Sequence, residues 1–138
     1  MSRDRYLLDT SAMITFLENE PGAERVEEIL ENEEVFIPWL VLFEVYYIIH
    51  REKGQDEADN LYSFLKNLSA VILWSVTEQF LFSAARLKAQ HRLSVADTMI
   101  VAYAIQHSAI LLHKDPEMSA LTGIVLQESL PFKTTTHP

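Results

Sequence analysis

Short apolar runs alternate along the chain with stretches whose apolar positions recur at helical spacing. "RYLLD" reads as a short buried strand ending at Asp9, with Thr10 or Ser11 placed to cap the helix that follows. "GAERVEEILEN" puts Ala23, Val26, Ile29 and Leu30 on one helical stripe, and "EVFIP" is a second short strand closed by Pro38. Residues 39–51 are too long for a buried strand and predict a helix. "DEADNLYSFLKNL" is another amphipathic helix, with Ala58, Leu61, Leu65 and Leu68 inward. "AVILWSV" predicts a strand, and Thr77 and Ser94 are placed to cap the helices "EQFLFSAARLKAQH" and "VADTMIVAYAIQH". "AILLH" is a further strand, and "GIVLQ" after Gly123 is the expected last one. Strands separated by helical crossovers imply an α/β fold with a mainly parallel sheet.

One residue sits badly in this pattern. Glu44 stands in the middle of "WLVLFEVYYIIH", and its helical neighbours Leu40, Val41, Tyr47 and Ile48 are apolar or aromatic. A buried carboxylate without a partner costs several kcal/mol or is neutralised. Glu44 therefore either lies on an exposed edge, pairs with an arginine, or serves a site.

Parallel α/β folds gather ligands at the carboxyl ends of their strands. Asp9 closes the first strand, and Asp115 lies two residues past "AILLH". Asp97 follows Ser94 in "SVAD", which fits a capping box as well as a ligand position. Asp9 could also start a turn, and Asp115 before Pro116 is a common turn pair. Each acid alone has a structural explanation. Four ionised carboxylates about 5 Å apart, however, repel by roughly 3 kcal/mol per pair at an effective dielectric near 20. A divalent cation relieves that repulsion, and all-oxygen ligation selects Mg²⁺ or Mn²⁺.

Composition narrows the alternatives. The chain has no cysteine, which excludes disulfides and zinc–thiolate sites and suits a reducing, cytoplasmic setting. Three glycines cannot build a P-loop or a GxGxxG turn, and neither HExxH nor GxSxG occurs. The net charge of −9 disfavours broad attraction to nucleic acid, so a polyanionic substrate needs a local cation or a metal. Arg86, Lys88 and Arg92 could share a helix face, although a solvated surface explains them better; Lys114 adjoins the last acid. No apolar run is long enough for a secretory leader or a membrane span. At 138 residues one domain is expected over 1–130, with 131–138 a flexible tail.

"YLLDTSAMITFLENEPGAERV", "VLFEVYYII", "LSVADTMIVAYAIQH" and "AILLHKDPEM" resemble, in order and spacing, the four acidic motifs of PIN-domain nucleases, and within them the VapC-type toxins. The resemblance implies a three-layer α/β/α sandwich and a Mg²⁺- or Mn²⁺-dependent endoribonuclease. It carries the family's acids onto Asp9, Glu44, Asp97 and Asp115, and the polar residue after the first acid onto Ser11, with Thr10 a second choice. It also implies an RNA substrate, a homodimer and a cognate antitoxin. The chain departs from the pattern at His113 and Lys114, where Thr or Ser and a basic or small residue are common, and at Met118, where an aromatic is common. Glu117 is a candidate fifth ligand. The same acids would also serve a DNA nuclease or a phosphatase, although Ser11 stands where a haloacid-dehalogenase-like phosphatase needs a second Asp. The fold could equally act as a non-catalytic interaction module.

Overall fold

The computed structural model describes residues 3–132. Five strands form one sheet in the order β3-β2-β1-β4-β5, and every neighbouring pair is parallel. They are β1 (Arg5–Leu8), β2 (Glu34–Pro38), β3 (Val71–Leu73), β4 (Ile110–His113) and β5 (Gln127–Ser129). The three central strands are almost continuously apolar and buried, the signature of a sheet covered on both faces. Edge strands β3 and β5 are shorter and more exposed.

The helices are α1 (Thr10–Leu17), α2 (Ala23–Asn32), α3 (Trp39–Lys53), α4 (Gln55–Lys66), α5 (Glu78–Gln90) and α6 (Val95–Gln106). The connections β1–β2 and β2–β3 run one way across the sheet, whereas β3–β4 returns past β1. Right-handed crossovers therefore place α1–α4 on one face and α5–α6 on the other. This is the expected three-layer α/β/α sandwich. The helical stripe Ala23, Val26, Ile29 and Leu30 is buried as its spacing requires. Gly22, at φ +105°, lets the chain enter α2; a Cβ there would meet Pro131 Cδ at 3.2 Å.

Several local expectations need correction. The cap of α1 is Asp9, whose Oδ1 accepts from the Ala12 amide at 2.8 Å, rather than Thr10 or Ser11. The strand expected over 70–76 stops at Leu73, paired with Pro38, because β2 ends there and α3 begins at Trp39. The last strand is Gln127–Ser129, not "GIVLQ": the chain is still turning after Gly123, and Ile124 and Leu126 remain exposed. Arg92 lies beyond α5, which ends at Gln90, so it shares no helix face with Arg86 and Lys88. Of the expected tail, 133–138 lies outside the described residues.

Candidate functional site

The strand order reverses between β1 and β4, the two strands at which the connections change direction. A crevice opens at the carboxyl ends of strands at such a switch point. Asp9 leaves β1 and Asp115 follows β4, so two of the acids meet there by topology alone.

Asp9 is 4% exposed. Its Oδ1 accepts from the Ser11 hydroxyl at 2.7 Å and from the Ala12 amide at 2.8 Å. Burial pushes its carboxyl up to about 7; the two hydrogen bonds oppose that rise, and the charges of Asp97 and Asp115 add to it. Ser11 also accepts from the Lys114 amide at 2.9 Å, tying the first turn of α1 to the end of β4.

Asp115 caps the 3₁₀ helix Pro116–Leu121, its Oδ1 accepting from the Glu117 amide at 2.9 Å. Each of these two acids thus commits one oxygen to a helix cap. Among the described residues no hydrogen bond reaches either Oδ2.

Asp97 lies in the first turn of α6 and is half-buried. Its pKa is raised by burial and further by Asp115, with the Ser94 hydroxyl opposing. Ser94 accepts from the Asp97 amide at 3.1 Å, which is one half of the capping box. Among the described residues no bond returns from the Ser94 amide to the Asp97 carboxylate; the Ser94 hydroxyl is the carboxylate's neighbour instead.

Glu44 is half-buried in α3 and accepts from the Thr10 hydroxyl at 2.6 Å. Its tolerance within an apolar helix has a local cause: it sits at the junction of α1 and α3, with a hydroxyl to bind it. The charges of Asp97 and Asp115 act on Asp9, and that of Asp115 acts on Asp97, so these three form an electrostatic group. Among the described residues none of the four acids joins an ion pair.

Lys114, a candidate substrate contact, reaches the connection between α1 and α2. Its ammonium donates to the Pro21 carbonyl at 2.7 Å and stands 3.5 Å from Glu20, with only 8% of the side chain exposed. Thr10 likewise positions Glu44 rather than standing free for substrate. Glu117 is exposed and meets Asp115 through its backbone amide.

The donor set fits a hard divalent cation: three carboxylates at a switch point, of which, among the described residues, two have an oxygen that accepts no hydrogen bond and none joins an ion pair. The side chains do not form a ready-made shell, since among the described residues no three of them are gathered closely enough to hold an ion as they stand.

The PIN domain family model matches residues 6–124. The chain belongs to the PIN domain family. The match spans Asp9, Glu44, Asp97 and Asp115, and the parallel five-stranded sandwich is the PIN architecture. No curated protein matches the chain. Among solved structures, this PIN domain is similar to VapBC2 from Rickettsia felis bound to a DNA fragment from its promoter, at TM-score 0.75 and 16% identity, over 92% of this chain and 99% of that one. It is also similar to VapBC-1 from nontypeable Haemophilus influenzae, at TM-score 0.72 and 20% identity over 91% and 97%. A third is VapC20 of Mycobacterium tuberculosis, a Sarcin-Ricin loop cleaving toxin, at TM-score 0.67 and 16% identity over 83% and 93%.

Two features of the site were not anticipated from sequence. The Thr10–Glu44 bond joins residues 34 apart in order, and no local pattern marks it. Gln127, bonded to His113 at 2.9 Å, carried no signal at all, because an edge-strand glutamine is ordinarily a surface residue.

Proposed function

We propose that this PIN domain is a Mg²⁺- or Mn²⁺-dependent endoribonuclease, the toxin of a toxin–antitoxin pair, which hydrolyses RNA phosphodiester bonds. The observation that carries this reading is the Asp9–Asp97–Asp115 group: three acids from the end of β1, α6 and the end of β4, one of them pushed to about 7, with no cationic side chain among the described residues paired to any of them. The acidic balance of the chain supports it too, since bound cations give an anionic protein a way to receive a phosphodiester. The shared fold of VapC toxins, one of them described as cleaving the sarcin–ricin loop, supports RNA as the substrate class.

Asp9, Asp97 and Asp115 would hold the metal, with Glu44 beside them. When bound, the ion lowers the pKa of a water and polarises the phosphoryl group. The chain's own residues arrange this. Ser11 and the Ala12 amide fix Asp9 through Oδ1, so that Oδ2 faces its task in one rotamer. The Glu117 amide does the same for Asp115, and Thr10 orients Glu44. Burial at Asp9 favours its neutral form until a cation arrives, so ion binding and loss of its proton are coupled.

The reading includes a cognate antitoxin, a second copy of the chain and a cytoplasmic location. Phe43, Tyr47, Trp74, Val76, Leu81 and Phe82 are all exposed. Trp39, Phe43, Tyr46, Tyr62 and Trp74 line a nearly apolar groove of about 260 Å³ suited to a protein partner.

The test is cleavage of RNA by the purified, antitoxin-free protein with Mg²⁺ or Mn²⁺. Cleavage that chelator stops and Asp9→Asn abolishes is expected. Cutting of DNA alone would move the substrate. No cleavage, together with unchanged effects of Asp9→Asn in cells, would replace the enzyme with a protein-interaction module.

A further inference from the structure

His113 ends β4 at 1% exposure, and its ring touches residues on both sides of the site loop. Nδ1 lies 3.1 Å from the Asp115 backbone nitrogen, and Nε2 lies 2.9 Å from Gln127 Oε1. Gln127 Nε2 in turn lies 3.0 Å from the Met118 carbonyl.

The two ends of this chain of bonds dictate its middle. A backbone carbonyl can only accept, so Gln127 must present its NH₂ to Met118 and its Oε1 to the ring. Nε2 of His113 must then carry the hydrogen. Nδ1 is left with a lone pair, and the Asp115 amide, which can only donate, supplies the matching hydrogen. No other assignment of the amide or the ring satisfies all three contacts. Every bond runs in one direction, from Asp115 N–H through His113 and Gln127 to Met118 C=O.

We propose that His113 and Gln127 are positioning residues, a directed relay that sets the Asp115 carboxylate for the metal. The relay grips the loop at both ends. Pro116 restricts Asp115 to extended backbone, observed at φ −117° and ψ 113°. The ring pins the Asp115 amide, and Gln127 pins the 3₁₀ helix at Met118. With the amide and the backbone fixed, the Asp115 carboxylate has only its side-chain torsions left, and the Glu117 amide holds one oxygen. A buried imidazole thus holds the loop from the residue two before the last acid. The inference rests on the metal-dependent reading above, but the relay itself is a property of the metal-free protein.

The test uses two readouts on the full chain. Long-range ¹H–¹⁵N spectra of the metal-free protein report the ring tautomer, and titration with Mn²⁺ reports affinity. Hydrogen on Nε2 is expected; hydrogen on Nδ1 would overturn the relay whether or not metal binds. His113→Leu is expected to weaken Mn²⁺ binding about 10–100-fold, the usual cost of removing support behind a ligand. His113→Asn, whose Oδ1 can stand where Nδ1 stands, should retain most of the affinity. Gln127→Met keeps the shape without the hydrogen bonds, covers the case in which His113→Leu fails to fold, and should weaken binding in the same direction. A merely structural role would lower Tm in these variants and leave the Mn²⁺ affinity of the folded protein unchanged, and that result would overturn the proposal. Absence of Mn²⁺ binding in the wild type would remove the metal reading, with the tautomer alone then deciding the relay.

Discussion

Ser11 donates to Asp9 Oδ1 at 2.7 Å while accepting from the Lys114 amide at 2.9 Å, so a single hydroxyl joins the ends of β1 and β4. Ser11→Ala breaks both bonds at once. The Lys114 amide then loses its acceptor, a cost of about 1–3 kcal/mol for a group left unsatisfied. The Ser11 bond also holds the Asp9 pKa down against burial, so its loss should raise that pKa further. Mn²⁺ binding should therefore require a higher pH in Ser11→Ala than in the wild type. Calorimetric titrations across pH 6–9 check this, and superimposable pH profiles would count against Ser11 as the support of Asp9.

Thr10 and Glu44 make a second, separable pair. Thr10→Val keeps the shape and removes the 2.6 Å bond that orients Glu44. Because Thr10 bonds Glu44 and none of the three aspartates, ion affinity should change little. The RNA cleavage rate should fall by about 10–100-fold, as for other groups that orient a site from behind. If Thr10→Val cleaves normally while Glu44→Gln does not, Glu44 acts without help from Thr10.

Lys114 adjoins the last acid in sequence, yet its ammonium belongs to the connection between α1 and α2 through Pro21 and Glu20. Lys114→Met should lower stability by about 1–3 kcal/mol, since the Pro21 carbonyl loses its donor. KM for RNA should stay close to the wild-type value. A large rise in KM with unchanged Tm would return Lys114 to the role its sequence position first implied.

The pattern of the chain disclosed the sandwich because its central strands are buried on both faces and its helices carry regular stripes, and both leave strong periodic signals. It disclosed Asp9 and Asp115 because strand ends of a parallel sheet have a standing relation to function. Edge strand β5 escaped for the opposite reason: Gln127–Ser129 is held by backbone pairing to β4 and has no apolar pattern, whereas the apolar Ile124 and Leu126 beside it are exposed. Asp97 was legible as a cap and as a ligand, and the structure bears out the cap, with Ser94 Oγ accepting from the Asp97 amide. The direction of the Lys114 side chain, toward Pro21 and Glu20, was not legible, because sequence order carries no information about where a four-carbon stem will point.

The buried state of Asp9 makes metal-free stability depend on pH in an unusual direction. Its carboxyl titrates near 3.8 when unfolded and near 7 in the fold, so the native state binds the proton more tightly. Below pH 3.8 both states are protonated and Asp9 costs nothing by this route. Between pH 4 and 7 the unfolded chain ionises while the folded one resists, and stability falls as pH rises. The full loss is on the order of 4 kcal/mol, from about three pK units at 1.36 kcal/mol each. Asp97, shifted the same way by burial, adds to the trend. Denaturant melts of the metal-free protein at pH 5.5 and 7.5 should show the wild type less stable at the higher pH. Asp9→Asn carries no ionisable group there and should show a smaller difference. Saturating Mn²⁺ should reverse the wild-type trend, because ion binding is favoured by the ionised carboxylate and stabilises the state that binds it. A wild type that gains stability from pH 5.5 to 7.5 without metal, in step with Asp9→Asn, would show that Asp9 is charged in the free protein and would remove the coupling between its proton and the cation.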